Sequence, residues 1–298
     1  MKEYPTASGR KRDRKMRYAI TLLLIVTSFL PITGFNQKAG VRVVRDLDFI
    51  AGTDYAENRD KLDLYLPEGR SRFPVIVSIY GGALTAGEKS RQAFVGQRFA
   101  AAGFGTAVIN YRLSPAVSHP AHIQDAAAAF AWVKQHISEY GGDPNAIFVI
   151  GHSAGAYLAA LLALDEHYLA AHKLSPHDIR GVVPVSAFFY VDRVAPDRPK
   201  TVWGTEVKTW QEASPSRYVN KGAPPMLLVY ADGDDQWRRE QNEEMAAALR
   251  KADSRDVTIK QVMGRNHTTI WSKLAEDEEV SNLIIAFVSR LTSKAALK

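Results

Sequence analysis

Apolar runs and helix-period stretches alternate along most of this 298-residue chain. Residues 75–80 read Val-Ile-Val-Ser-Ile-Tyr, almost unbroken by polar side chains. A strand buried on both faces has that pattern. Further β-rich runs fall at residues 41–49, 61–65, 106–111, 146–150, 181–185, 226–230 and 257–262. Between them the spacing predicts helices over 92–102, 123–140, 154–164, 239–251 and 280–291. Strands alternating with helices predict an α/β fold with an eight-stranded, mostly parallel sheet flanked by helices on both faces. The first two runs predict an antiparallel edge. Asp125, near the start of the helix over 123–140, suits the positive end of its dipole. Residues 141–145, Gly-Gly-Asp-Pro-Asn, form a loop by composition. The periodicity fails between 186 and 220, where Pro196, Pro199, Trp203, Trp210 and Pro215 fall. That length predicts an insertion over the C-terminal edge of the sheet.

The first 35 residues break the pattern. Seven lysines and arginines precede an apolar run from Ala19 to Leu30, which Pro31 interrupts. This is the layout of a signal peptide, with a cleavage point after Gly34. The alternative is an uncleaved N-terminal anchor, since Ala19 to Phe35 is 17 residues, at the lower edge of the roughly 17–25 that span a bilayer. Met16 is a second plausible start. The reading is a leader over 1–35, one α/β domain over 36–298, and export to the periplasm or the exterior. Only two acids offset the leader's cations, so five of the chain's six net positive charges belong to it. The nearly neutral body carries no electrostatic footprint for nucleic acid. Membrane contact is expected only through the leader. The chain has no cysteine, which excludes disulfides, thiolate metal sites, a cysteine nucleophile and a lipidated N-terminal cysteine.

The candidate chemistry lies at Gly151-His152-Ser153-Ala154-Gly155, between the run at 146–150 and an Ala-rich helical segment. A strand, a sharp turn and a helix with serine at the apex expose that hydroxyl as a nucleophile. Glycines flank it because a Cβ at either site crowds neighbouring backbone. Acyl transfer by serine also needs a base, a group that orients the base, and donors for the oxyanion. His267, in the loop after the last predicted strand, is the candidate base. His152 is expected to point away, His119, His122 and His136 flank or lie on a helix, and His167, His172 and His177 have the character of surface residues. Three aspartates crowd the turn after the strand at 226–230. Asp234 is favoured because it lies beyond the tightest part of the turn, ahead of Asp235 and then Asp232; the remaining two are turn formers around Gly233. The backbone amides of Gly82, Ala83 and Ala154 are the candidate oxyanion donors.

Several motifs act together: Tyr80-Gly81-Gly82-Ala83, Asn110-Tyr111-Arg112-Leu113-Ser114-Pro115, Gly142-Asp143-Pro144, the elbow 151–156, Ser214-Pro215 and Asn266-His267. On these, residues from about 46 to 291 resemble an α/β-hydrolase-fold esterase. The resemblance is strongest to the group that includes hormone-sensitive-lipase-like carboxylesterases, feruloyl-esterase-like proteins and kynurenine formamidases. It implies a serine hydrolase that cleaves carboxylic esters through an acyl-enzyme, with Ser153, Asp234 and His267 as triad. It implies no metal or organic cofactor and a small-molecule ester as partner. An amidase, formamidase or peptidase with the same triad is the alternative, followed by a non-catalytic binding module. Two positions depart from the family pattern: Tyr80 stands where histidine is usual, and Ala83 where glycine is common. Tyr190, Trp203 and Trp210 either wall a substrate pocket or pack the insertion, and Trp237 is equally open.

Overall fold

The computed structural model describes residues 40–194, 198–254, 256–276 and 278–296. The leader read in residues 1–35 lies outside them. Among these residues eight strands form one sheet: β1 Val41–Asp48, β2 Lys61–Pro67, β3 Phe73–Ile79, β4 Gly105–Ile109, β5 Gly142–His152, β6 Gly181–Val185, β7 Met226–Gly233 and β8 Val257–Asn266. Their order is β1-β2-β4-β3-β5-β6-β7-β8. β1 pairs β2 and β2 pairs β4 antiparallel, and every other pairing is parallel. The antiparallel edge and parallel body match the reading from the apolar pattern.

The helices are α1 Ala93–Ala101, α2 Ala121–His136, α3 Ala154–Leu164, α4 Glu166–Ala170, α5 Arg198–Trp203, α6 Val207–Glu212, α7 Gln236–Lys251, α8 Thr269–Ser272 and α9 Glu278–Ala296. Alternate residues of each central strand serve opposite faces. Val75, Val77, Ile79, Ile147 and Val149 join the cluster that includes α2, α3 and α7. Ile76, Phe148, Ile150, Val183 and Val185 join the cluster that includes α1, α8 and α9. Both parities must therefore be apolar, and that is why these strands read as continuous runs. All eleven residues of α3 are buried. Its alanines let it lie against the sheet and under α2 at close range.

Three elements differ from expectation. β5 begins at Gly142, inside the stretch read as a loop, because Gly142 pairs with Phe73 before a register shift. α2 ends at His136, and a 3-10 turn carries the chain to Gly141 at φ 93°. Asp125 does not serve the dipole of α2. It is buried and accepts a bidentate grip from Arg112, at 2.8 Å to Nε and 2.6 Å to Nη2, plus the Arg112 amide at 2.9 Å. Burial pushes its carboxyl above the usual range, against the pull of Arg112.

The stretch after β6 carries α5, α6 and two 3-10 turns. Its root is stitched to α7. Gln241 Oε1 accepts from the amides of Phe189 at 2.8 Å and Tyr190 at 3.0 Å, and Asn242 Nδ2 donates to the Ala187 carbonyl at 2.9 Å. Trp203 is buried edge-on against Tyr157 and Phe188 and donates its indole N–H to Tyr157 Oη at 3.1 Å. Trp203 therefore packs the excursion onto α3. Trp210 donates to the Gly204 carbonyl, and the half-buried Tyr190 lies under the Arg193 guanidinium.

Candidate active site

β5 runs straight into α3 through Ser153, whose backbone sits at φ 54°, ψ −115°. A non-glycine residue there is strained, and the surrounding packing holds it. A Cβ at Gly155 would stand 2.1 Å from the Ile79 carbonyl oxygen and 2.4 Å from that of Tyr80. A Cβ at Gly151 would stand 2.4 Å from Gly155 backbone. The two glycines thus allow α3 to start directly against β5 and the end of β3.

The structure brings the three candidate side chains together. His267 Nε2 is 2.8 Å from Ser153 Oγ, and His267 Nδ1 is 2.7 Å from Asp234 Oδ1. β8 extends to Asn266, further than the apolar run indicated, and delivers His267 to the end of the sheet. Asp234 is buried at 2% exposure. Its second oxygen accepts from Ser186 Oγ at 2.5 Å and from the Ala231 amide at 2.9 Å. Burial alone would raise this carboxyl. The donations from His267, Ser186 and Ala231 outweigh burial and hold it below the usual range. Asp232 instead accepts from the amides of Gly233 and Arg265 at the turn. Asp235 is exposed and opens α7 through its carbonyl, which accepts from Arg238 N and Arg239 N.

β3 and β5 are adjacent and parallel, so the loop after β3 arrives beside the elbow. A Cβ at Gly81 would be 3.1 Å from that of Ser153. Gly82 lies at φ 129°, Ala83 at 57° and Leu84 at 64°. Glycine suits the first; the left-handed alanine costs roughly 1–2 kcal/mol. The amides of Gly82, Ala83 and Ala154 donate to no protein acceptor among the described residues. Tyr80 holds the loop. Its ring stacks on Tyr111 at 4.5 Å, its carbonyl accepts from Tyr111 Oη at 2.9 Å, and its hydroxyl accepts from Arg59 Nη1 at 3.0 Å. Arg59 Nη1 also donates to the Gly87 carbonyl at 2.8 Å, at the far end of the same loop.

His152, expected to point away from the Ser153 hydroxyl, lies with its ring 4.8 Å from that of His267. Its Nε2 donates to the His267 carbonyl at 2.7 Å, and its ring stacks on Trp271 at 5.5 Å. Ser186 and this contact of His152 carried no sequence signal, because both depend on strand order rather than on spacing. The other histidines lie apart. His122 Nε2 is 3.1 Å from Ser114 Oγ, His119 Nε2 is 3.4 Å from Tyr168 Oη, and His167 and His136 pair with Asp165 and Glu139. A cavity of about 620 Å³ opens at the far end of α3, lined by Leu164, Asp165, His177 and Tyr218 among others, and it includes none of the candidate residues. No group of three or more histidine, aspartate or glutamate side chains among the described residues is placed to hold a metal.

Burial keeps three imidazoles neutral. It pushes His152 down to about 3 and both His119 and His122 down to about 4. In the unfolded chain each titrates near 6.5, a rough reference value. With folded values depressed, their contribution to stability is whole above about pH 6.5 and is lost as pH falls toward about 4. Each group adds ~1.4 kcal/mol per pH unit to the slope wherever only the unfolded chain binds its proton. The unfolding midpoint is therefore expected to drop steeply across that window. A flat midpoint from pH 6.5 to 4 would contradict the buried, neutral assignment.

The BD-FAE family model matches residues 62–249, a span that includes Ser153 and Asp234. Esterase LipQ of Mycobacterium tuberculosis is 32% identical over 246 residues, covering 75% of this chain and 56% of that protein. The probable isoprenylcysteine alpha-carbonyl methylesterase ICME of Oryza sativa subsp. japonica is 38% identical over 145 residues, covering 48% and 35%. The chain thus spans about half the length, or less, of these curated relatives. Among solved structures, a truncated carbohydrate esterase from gut microbiota superposes with TM-score 0.74 at 22% identity, over 87% of this chain and 98% of that one. The Pyrobaculum calidifontis esterase gives 0.71 at 22% identity, over 86% and 87%.

Proposed function

Because the chain belongs to the BD-FAE family and has the α/β-hydrolase fold, we propose that it is a serine carboxylesterase working through an acyl-enzyme. The observation that carries this reading is the unbroken hydrogen-bonded line from Ser153 through His267 to Asp234. Asp234 holds the Nδ1 proton, which leaves Nε2 free to accept from the serine hydroxyl. His267 takes that proton as Ser153 Oγ bonds to the acyl carbon. The carbonyl oxygen becomes an oxyanion among the amides of Gly82, Ala83 and Ala154, whose hydrogens have no competing acceptor among the described residues. The N-terminus of α3 adds its positive potential at the same point. His267 then passes the proton to the departing alkoxide, and water repeats the sequence in reverse to release the acid.

Matched ester and anilide substrates, with short and long acyl groups, test the reaction class. The expected outcome is ester turnover well above anilide turnover, with stoichiometric labelling of Ser153 by a fluorophosphonate. Parallel rates on the matched pair would identify an amidase instead. No labelling of Ser153 would remove the enzyme reading altogether.

A further inference from the structure

Arg238 occupies a place that costs the fold stability. It lies in the first turn of α7, where the dipole disfavours a cation, and that turn holds no acidic residue to compensate. It is also 3% exposed, and a buried guanidinium survives only when paired. Two of its contacts are with the candidate acid and with the serine that binds it. Nη1 donates to the Ser186 carbonyl at 2.8 Å, and Nε stands 3.8 Å from Asp234 Oδ1. The flat group lies 4.4 Å over the Trp237 ring. Ser186 is the residue whose hydroxyl binds Asp234, and its backbone is left-handed at φ 50°. It also directly follows Val185, whose carbonyl accepts the Ser153 amide at 2.9 Å. Arg238 thus closes a ring that joins the nucleophile's strand, the acid and the start of α7.

We propose that Arg238 is a positioning residue for the triad: it holds Ser186 in its strained conformation and gives Asp234 a second, permanent positive partner. This rests on the esterase reading above. One consequence follows for the reaction. The Ser186 hydroxyl stays aimed at Asp234 Oδ2, so that Oδ1 remains on His267. The other charged or titratable groups around the pair do not replace it. Arg239 is spent on the carbonyls of Asp232 and Asp234, at 2.9 and 2.5 Å. Asp232 is held by backbone amides, Asp235 is exposed, Arg265 reaches the Gly264 carbonyl, and His152 is neutral.

The test compares full-length wild type, Arg238→Met, Arg238→Lys and Ser153→Ala, with circular dichroism and thermal melts for folding. Folded Arg238→Met is expected to lose about tenfold or more in kcat with little change in KM. Arg238→Lys keeps the charge but not the fork, so its kcat is reduced as well. A folded Arg238→Met with the kcat of the wild type overturns the proposal. If Arg238→Met does not fold, Arg238→Lys decides: an unchanged kcat overturns it equally. If the wild type itself neither turns over esters nor labels at Ser153, it is the esterase reading that fails.

Discussion

Ser153→Ala is expected to lower ester turnover by about 10⁴–10⁶ while leaving the fold intact. The loss is that large because the hydroxyl is the only group removed, and its oxygen is the atom that bonds to the acyl carbon in the proposed reaction. Alanine keeps a Cβ, so the strained backbone at φ 54° neither relaxes nor worsens. His267 keeps Asp234, and the oxyanion amides keep their directions. What remains is a site that binds and polarises an ester without a nucleophile, which accounts for a small residual rate over water. Initial rates on an activated ester, with the melting temperature measured in parallel, check the expectation. Turnover of Ser153→Ala within tenfold of wild type, with the melt unchanged, would refute the nucleophile assignment.

Asp234→Asn is expected to cost about 10⁴ in kcat, by way of the imidazole tautomer. An amide at this position has its oxygen and its NH₂ group to distribute. Ser186 Oγ and the Ala231 amide both donate to the second carboxylate oxygen, so the amide oxygen is kept there. The NH₂ group then faces His267 Nδ1 and donates to it. The ring proton is driven to Nε2, which points at Ser153 and can no longer accept. The same substitution leaves buried Arg238 with one partner fewer, so some stability is lost as well. Asp232→Asn and Asp235→Asn are the controls. Asp232 serves the turn and Asp235 is exposed, and both variants are expected to stay within about tenfold of wild type. If Asp235→Asn lost activity as Asp234→Asn does, the assignment of the acid would be wrong.

Much of the architecture was legible along the chain because of parity. In β3 and β5 both odd and even positions are apolar, and a strand reads that way only when both faces are covered. The elbow was legible because its glycines stand beside Ser153 in sequence, although only Gly151 is forced by nearby backbone, that of Gly155, while Gly155 is forced by the Ile79 and Tyr80 carbonyls at the end of β3. Asp125 misled for the opposite reason. Its proximity to a helix start suggested a dipole role, while its actual partner, Arg112, lies 13 residues earlier in a loop. β5 misled at its start, where a glycine-rich stretch that looks like a loop is pulled into extended pairing by Phe73.

By itself the chain determined the period of each element, the both-sided burial of the central strands, the bend that exposes Ser153 and the order in which serine, aspartate and histidine appear. Those properties are read from residue types along the chain, without knowing which segments meet. The tertiary structure decided which aspartate of three meets the imidazole, because β7 and β8 run parallel and bring Gly233 opposite Asn266. It also decided that Ser186 and Arg238 attend the acid, that His152 holds the His267 carbonyl, and that the loop after β3 lies beside the elbow. Apart from Arg238, which lies four residues after Asp234, these contacts join residues that are distant in sequence, as do Ser153 and His267, 114 positions apart. Their proximity comes from strand order and register, which no local spacing specifies.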